Sequence, residues 1–202
     1  MVRNDQDMLS GEIEVDECYV GGVREGRRGR GADGKSIVLV AAEKRSSQKG
    51  GRTIFGRIRL KCIPNVSGET LCMSVKELAS PGSTVCTDGW RGYNGLSADG
   101  FSHVVFKQSS RLHMTPFGEE DSVGEDSPLP LCHRCISLLK RWILGTLQGS
   151  LGKGHIQDYL NEFTFRFNRR TSTFRGMLFW RLVQMAVTHE SSTLHDITNH
   201  KM

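Results

Sequence analysis

The sequence lacks a long hydrophobic segment. No run approaches the roughly 18 to 20 apolar residues that a helix needs to cross a bilayer, and the opening residues MVRNDQDMLSGE contain no apolar core of a secretory signal. We therefore expect a soluble, intracellular protein with no membrane partner. It would be cytoplasmic and nucleoid-associated in a prokaryote, or nuclear in a eukaryote.

The cysteine pattern lacks both a disulfide framework and a paired metal motif. The six cysteines lie mostly within apolar runs, as reduced core thiols do, at positions 18, 62, 72, 86, 132 and 135. The segment CHRC at 132–135 is one C-x-x-C, but a zinc site needs two more ligands, and no second C-x-x-C exists. His113 is the nearest candidate. Two helix thiols without a metal role are the favoured alternative.

No charge of one sign dominates the composition. The 27 Lys and Arg against 22 Asp and Glu give a net charge of +5, with a sequence pI of about 9.0. This balance is compatible with a polyanionic partner, although a mildly basic enzyme would show it too. The 202 residues are 37% hydrophobic, which is enough to bury a core and excludes disorder throughout.

The first periodic segment, residues 11–20, alternates with period two and predicts a strand. Ile13 and Val15 point to one face, and Glu12, Glu14 and Asp16 to the other. We expect the acidic row to face solvent, a partner or a metal; a solvated edge strand is the ordinary alternative.

The next segment, residues 24–35, is rich in glycine and arginine and predicts irregular structure. Its Arg27, Arg28, Arg30 and Lys35 suit phosphate contact. A solvated turn extension remains equally open.

The following segments predict a mixed α/β sheet. Residues 37–42 and 53–63 are predicted strands joined by a hairpin loop at 44–52, and Ser67 is the predicted cap of a helix with Leu71, Val75 and Leu78 on one face. A strand ending at Asp88 and a short one at 103–106 follow. The order β-β-β-α-β is typical of a ribonuclease H type of sheet, and a crossover helix implies that the Asp16 and Asp88 strands pair in parallel.

The rest of the chain is predicted to be helical. Helices are expected over about 132–147, from Ile156 to Phe167 and from Phe174 to Met185, the last with its apolar residues on one face. We divide the chain into a flexible lead-in (1–10), one domain (11–188) with an irregular insertion at 107–131, and a polar tail (189–202).

Asp16 and Asp88 are the main candidates for chemistry. Two aspartates on adjacent strands can hold divalent ions through hard oxygen ligands. Two such ions about 4 Å apart activate a nucleophile and stabilise the leaving oxygen of a phosphodiester. On spacing alone, the pair is a weak signal.

Five blocks of sequence, in order, resemble the ISXO-like insertion-sequence transposases, relatives of the eukaryotic Merlin elements. They are GEIEVDECYVGG (11–22), GRRGRGADGK (26–35), PGSTVCTDGWRGYNGL (81–96), SLLKR (137–141) and YLNEFTFRFNRR (159–170). The resemblance implies a DDE-type, ribonuclease H-like domain that acts on transposon-end and target DNA as a homo-oligomer. The implied reaction is cleavage that frees a 3′-hydroxyl, followed by attack of that hydroxyl on a target phosphodiester.

The resemblance also implies roles for residues. Asp16 matches the first catalytic aspartate, Asp88 the second, and Lys140 the basic residue of the catalytic helix, with Mg²⁺ or Mn²⁺ as cofactor. Family members usually place an acid or amide two helical turns before that lysine, where this chain has His133. His133 is therefore predicted as a catalytic residue and third metal ligand; imidazole suits Mn²⁺ or Zn²⁺ better than Mg²⁺. An alternative ligand is one of the loop acids at 119–126.

Two further expectations concern DNA. The predicted DNA contacts are Arg27, Arg28, Arg30, Lys35, Trp90, Arg91, Lys140 and Arg141, although a Trp at a strand end more often packs in a core. The family's usual zinc-ribbon or helical region does not precede the first block, so we expect weakened recognition of transposon ends. The competing hypothesis is an inactive remnant that binds DNA non-specifically through residues 24–35, Arg169 and Arg170.

Overall fold

One five-stranded mixed sheet organises the chain. The computed structural model describes residues 8–21, 35–46, 53–106, 128–148 and 153–188. The strands, β1 (Glu12–Val20), β2 (Ser36–Ser46), β3 (Thr53–Ile63), β4 (Thr84–Thr87) and β5 (Ser102–Val105), lie in the order β3-β2-β1-β4-β5. β2 is antiparallel to β1 and β3, whereas β4 is parallel to β1 and β5. The predicted parallel pairing of the two aspartate strands is confirmed.

The helices of these residues are α1 (Gly68–Leu78), α2 (Pro130–Leu147), α3 (Ile156–Asn168) and α4 (Arg175–Thr188), with short 3-10 helices at Arg91–Ser97 and Lys153–His155. The predicted Ser67 cap of α1 is confirmed, because its side chain accepts from the N–H of Thr70 at 3.3 Å. α2 begins two residues before its predicted start. Pro130 fits there because the first turn of a helix needs no donor from it.

Several predicted segments fall on residues outside those described: 1–7, 22–34, most of the 44–52 hairpin loop, 107–127 and 189–202. The insertion predicted for 107–131 is wrong at its end, where α2 has already begun. No helix in the described part of the chain is long and apolar enough to cross a membrane.

Strand alternation gives the sheet two buried faces. Ile13 and Val15 of β1 join the core formed with α1 and the Arg91–Ser97 helix. Cys18 and Val20 point the other way, into the core formed with α2 and α3. Alternate side chains of β1 are therefore buried on opposite faces of the sheet.

The position of β1 corrects the expectation for its acidic row. β1 lies between β2 and β4, and α2 covers the face that carries Glu14. Glu14 is only 5% exposed and β1 is not an edge strand, so the edge-strand alternative is wrong, and of the first two acids of the row only Glu12 is partly exposed to solvent. The cause is the helical layer, because α2 and α3 cover this face of the sheet and keep water from part of the row.

β3 is one of the two edge strands of the sheet, and α3 covers it with amide side chains. Asn168 accepts from the N–H of Ile58 at 2.7 Å and donates to its carbonyl at 2.9 Å. Gln157 pairs in the same way with the N–H of Cys62 (2.9 Å) and the carbonyl of Leu60 (3.2 Å). These bonds satisfy edge groups that would otherwise offer a template for another strand.

α4 does not bury the apolar face predicted for it. Of the residues predicted to form that face, Phe174 and Met177 are more than half exposed, and Leu178, Leu182 and Met185 are only half-buried. The periodicity correctly indicates a helix, but it does not establish what covers that helix.

Glu43 of β2 forms a buried ion cluster. Its carboxylate is 2.8 Å from Arg57 Nη2 and 3.0 Å from Arg45 Nη2, and it accepts from the N–H of Ser10 at 3.3 Å. Gly56 leaves room for this cluster, since a Cβ there would lie 2.6 Å from the Glu43 carbonyl oxygen. Burial alone would raise the pKa of Glu43, but the hydrogen bonds and charge of Arg57 lower it below its ordinary value.

Glu43→Gln is expected to lower the free energy of unfolding by about 1–3 kcal/mol at neutral pH, because charged hydrogen bonds are lost from a buried group. The pKa of Glu43 is lower in the folded state than in the unfolded state. The negative charge of Glu43 therefore stabilises the fold at pH values above the ordinary carboxylate pKa. That contribution is lost as pH falls through the folded-state pKa. Urea titrations from pH 7 downward measure it. Glu77→Gln, at an exposed pair with Lys61, is the control; equal effects of the two variants would contradict the prediction.

Candidate active site

Asp16 lies on β1, just beyond the segment that pairs with β4. The last paired positions are Glu14 and Cys86, so Asp16 and Asp88 each follow by two residues. The Asp16 side chain is 14% exposed, and its Oδ1 accepts from the N–H of Glu17 at 2.8 Å. Asp16 therefore lies in the middle of β1 and Asp88 directly after β4, both just beyond the carboxyl end of the parallel β1–β4 pairing, where functional groups of α/β sheets gather.

His133 of α2 contacts Asp16. Its Nε2 is 3.4 Å from Asp16 Oδ2, and its side chain is 37% exposed. The N–H of His133 donates to the carbonyl of Leu129 at 3.0 Å, so the residue belongs to the first turn of the helix. Two of the three predicted ligands thus meet across the gap between β1 and α2.

Glu14 holds the N-terminus of the same helix. Its Oε2 accepts from the N–H of Leu131 at 2.7 Å and of Cys132 at 3.0 Å. Burial raises the pKa of Glu14, while these two hydrogen bonds oppose the rise. Sequence reasoning missed this contact, because it joins residues 117 positions apart.

Asp88 ends β4 in a tight turn. Its Oδ1 accepts from the N–H of Trp90 at 3.0 Å, and Gly89 between them has φ +88°. A Cβ at Gly89 would also lie 3.0 Å from Val105 Cγ1. The turn therefore requires glycine and leaves the exposed Asp88 carboxylate at the end of the strand.

Tyr93 links this turn region to β1 on the opposite face of the sheet. Tyr93 is fully buried, and its hydroxyl donates to Glu17 Oε2 at 2.7 Å. Burial raises the pKa of Tyr93 well above its ordinary value, as does the Glu17 carboxylate, so the hydroxyl stays a donor. Glu14 and Glu17 thus flank Asp16 in the sequence. Glu14 attaches β1 to α2, which carries His133, and Glu17 attaches β1 to the 3-10 helix that follows Asp88.

Lys140 lies further along α2, on the side of β1. Burial raises the pKa of the Cys18 thiol to about 12, and the positive charge of the Lys140 ammonium acts in the opposite direction, lowering that pKa. Cys18 follows Asp16 on the same parity of β1, and Lys140 follows His133 by two helical turns. Lys140 itself is exposed.

The carboxylates fit a divalent ion better than the imidazole does. Asp16 and Asp88 offer hard oxygens with lone pairs left over, the ligands that Mg²⁺ and Mn²⁺ prefer. In the described ranges, no group of three or more His, Cys, Asp or Glu side chains is arranged to hold a metal ion. The three-ligand set of Asp16, Asp88 and His133 stays a prediction.

The C-x-x-C thiols are core residues. Cys132 and Cys135 are fully buried, and Cys132 Sγ donates to the Val40 carbonyl at 3.5 Å. Burial raises both pKa values well above the ordinary thiol range, which disfavours the thiolate that zinc needs. Five of the six cysteines are buried, and Cys62 is half-buried.

The predicted DNA contacts divide into three groups. Arg27, Arg28 and Arg30 lie outside the described residues, whereas Lys35, Arg91, Lys140 and Arg141 are exposed. Trp90 is half-buried against the α1 core, and its indole N–H donates to the Val66 carbonyl at 3.4 Å. Packing accounts for Trp90 without DNA.

Arg170 has a structural role. Its guanidinium stacks over Phe167 at 4.1 Å and donates to the Phe55 carbonyl at 2.7 Å. Arg169 stacks over Phe165 at 4.0 Å. The remnant hypothesis had used both arginines for DNA, but these contacts attach the end of α3 to β3 and its own helix.

A comparison with protein families places most of the chain in one of them. The model described as an ISXO2-like transposase domain matches residues 8–168, a span that contains β1, β4, α2 and every candidate site residue. No curated protein matches the chain.

Proposed function

The chain belongs to the ISXO2-like transposase family, and from that membership we propose that it is a DDE-type catalytic domain that cleaves and joins DNA. We also propose that its sheet is ribonuclease H-like. The strand order β3-β2-β1-β4-β5, with three antiparallel strands followed by parallel ones, supports this assignment.

The observation that carries the proposal is the matching position of two aspartates on adjacent parallel strands, one of which faces a helix. Asp16 and Asp88 each follow the paired ends of parallel strands by two residues, and the first turn of α2 brings His133 to 3.4 Å from Asp16. Asp16 and Asp88 would hold a divalent ion, Mg²⁺ or Mn²⁺, which when bound polarises a phosphodiester oxygen. The chain's own residues orient the carboxylates and attach the helix.

The DNA backbone is the proposed partner of the exposed cations. Lys140 and Arg141 extend along α2 from His133, and Arg91 follows the Asp88 turn. Cations on both sides of the carboxylates would hold phosphates next to the reacting bond. Such contacts position DNA without selecting a base sequence.

A second candidate function is an inactive relative that only binds DNA. One observation favours it: α2 offers an imidazole, not an acid, to Asp16. This candidate predicts DNA affinity that falls with salt and no turnover with any divalent ion.

The test is a nicking and joining assay on labelled duplex DNA. We expect product with Mg²⁺ or Mn²⁺, none with chelator, and none from Asp88→Ala. Asp99→Ala is the matched control, since that carboxylate pairs with Lys76, away from the site. Activity that survives Asp88→Ala would overturn the catalytic assignment, and salt-sensitive binding without turnover would favour the inactive relative.

A further inference from the structure

Glu14 is a buried carboxylate that the proposed chemistry does not use. Its side chain lies on the same face of β1 as that of Asp16. Glu14 is 5% exposed, on the face of the sheet where the apolar core under α2 lies. A carboxylate in such surroundings is costly unless strong donors satisfy it. Its donors are the backbone N–H groups of Leu131 and Cys132.

Those two donors belong to a helix that has no cap of its own. The residue before α2 is Leu129, whose side chain cannot accept a hydrogen bond, and Pro130 follows it. The first N–H groups of a helix need acceptors from elsewhere. Glu14 supplies the acceptor from a different element, and its charge suits the positive end of the helix.

His133 comes directly after the two N–H groups that Glu14 holds. β1 therefore contacts the first turn of α2 twice in succession, through Glu14 to the backbone and through Asp16 to the His133 ring. The first contact is to the backbone of the turn, and the second is to a side chain that the turn carries.

We propose that Glu14 is a positioning residue, which caps α2 from the sheet and thereby sets residue 133 against Asp16. It touches neither substrate nor reacting atoms. The catalytic consequence rests on the proposed function, whereas the positioning of the helix does not.

The first test measures position without activity. In Glu14→Ala, hydrogen exchange of the Leu131 and Cys132 amides is expected to rise about ten-fold, the usual effect of losing a cap, and the NMR signals of the His133 ring are expected to shift. Amides near Ile143 should exchange as in the wild type. Glu14→Gln, which keeps an acceptor oxygen, should restore both signatures at least in part.

The matched control is Glu12→Ala, on the same strand and parity, whose carboxylate pairs with Lys44 at 2.6 Å. It should leave the His133 ring signals unchanged. A lower melting temperature of Glu14→Ala with unchanged His133 signals and amide exchange would overturn the proposal and leave a role in stability alone. If Glu14→Ala does not fold, Glu14→Asp, shorter by one methylene, provides the same comparison.

The second test uses DNA cleavage. Glu14→Ala is expected to lower the turnover number about ten-fold or more with unchanged DNA affinity, and to have a smaller effect in a His133→Ala background because both changes act through one turn. Equal effects in both backgrounds would contradict the coupling. An inactive wild-type protein would remove the proposed function, while hydrogen exchange and NMR would still decide the role of Glu14.

Discussion

DNA cleavage by Asp16→Asn is expected to fall at least about a hundred-fold, because loss of groups that merely support metal ligands already costs 10- to 100-fold. The amide keeps the shape of the side chain and can still accept from the Glu17 N–H. What disappears is the negative charge of Asp16, just beyond the segment of β1 that pairs with β4. Single-turnover cleavage of labelled DNA measures the loss, and thermal unfolding checks that the fold is retained.

Glu12→Gln provides the comparison for Asp16→Asn. It removes one carboxylate charge from the same strand and parity, at a partly exposed pair with Lys44. We expect near wild-type cleavage from it. If both variants lose activity equally, the general charge of β1 matters and Asp16 has no special role.

Asp88→Asn offers a sharper form of the same prediction. If Asp16 and Asp88 hold one ion together, the double variant should be about as inactive as either single variant, because residues that act as a unit are strongly non-additive. If the fold-losses in cleavage rate of the two single variants multiply in the double variant, the two aspartates act independently. The positions beyond Glu14 and Cys86 favour the joint role.

Local pattern predicts much of this site. Alternation over residues 11–20 predicts β1, and the crossover through α1 predicts its parallel pairing with β4. The glycines after Asp88 predict the turn, and Gly89 indeed has positive φ. These features depend on neighbours in sequence, or on the handedness of one connection.

The contacts that assemble the site depend on distant residues. Alternation shows that Glu14 and Glu17 point to opposite faces, but not that α2 receives one and Tyr93 the other. A polar row on a strand ordinarily indicates solvent; here β1 is central, and helix N–H groups replace water for Glu14. The cue available in sequence was that Leu129 and Pro130 leave α2 without a cap of its own.

Replacing His133 by glutamate is expected to raise Mg²⁺-dependent cleavage about ten-fold or more and to lower the Mn²⁺-to-Mg²⁺ activity ratio. The reason is the ligand: a carboxylate oxygen suits Mg²⁺, whereas imidazole favours softer ions. The new side chain would start from the position where the His133 ring now lies 3.4 Å from Asp16. Cleavage rates across both ions measure the ratio.

The same substitution has a second expected effect on stability. Without metal, His133→Glu adds a carboxylate beside Asp16 and near Glu14, so like charges should lower the melting temperature. Added Mg²⁺ should restore it, because an ion that binds only the folded state stabilises that state. His155→Glu makes the same chemical change at the start of α3 and should show no Mg²⁺-dependent recovery.

The His133→Ala variant separates a ligand role from mere proximity. If the imidazole is the third ligand, His133→Ala should lose Mn²⁺-dependent cleavage that His133→Glu retains. If His133→Ala cleaves as well as the wild type, and His133→Glu gains nothing with Mg²⁺, residue 133 is not the third position. The ligand would then come from elsewhere, such as the acids at 119–126. His133 would in that case only pair with Asp16, while Glu14 would still hold the first turn of α2 against β1.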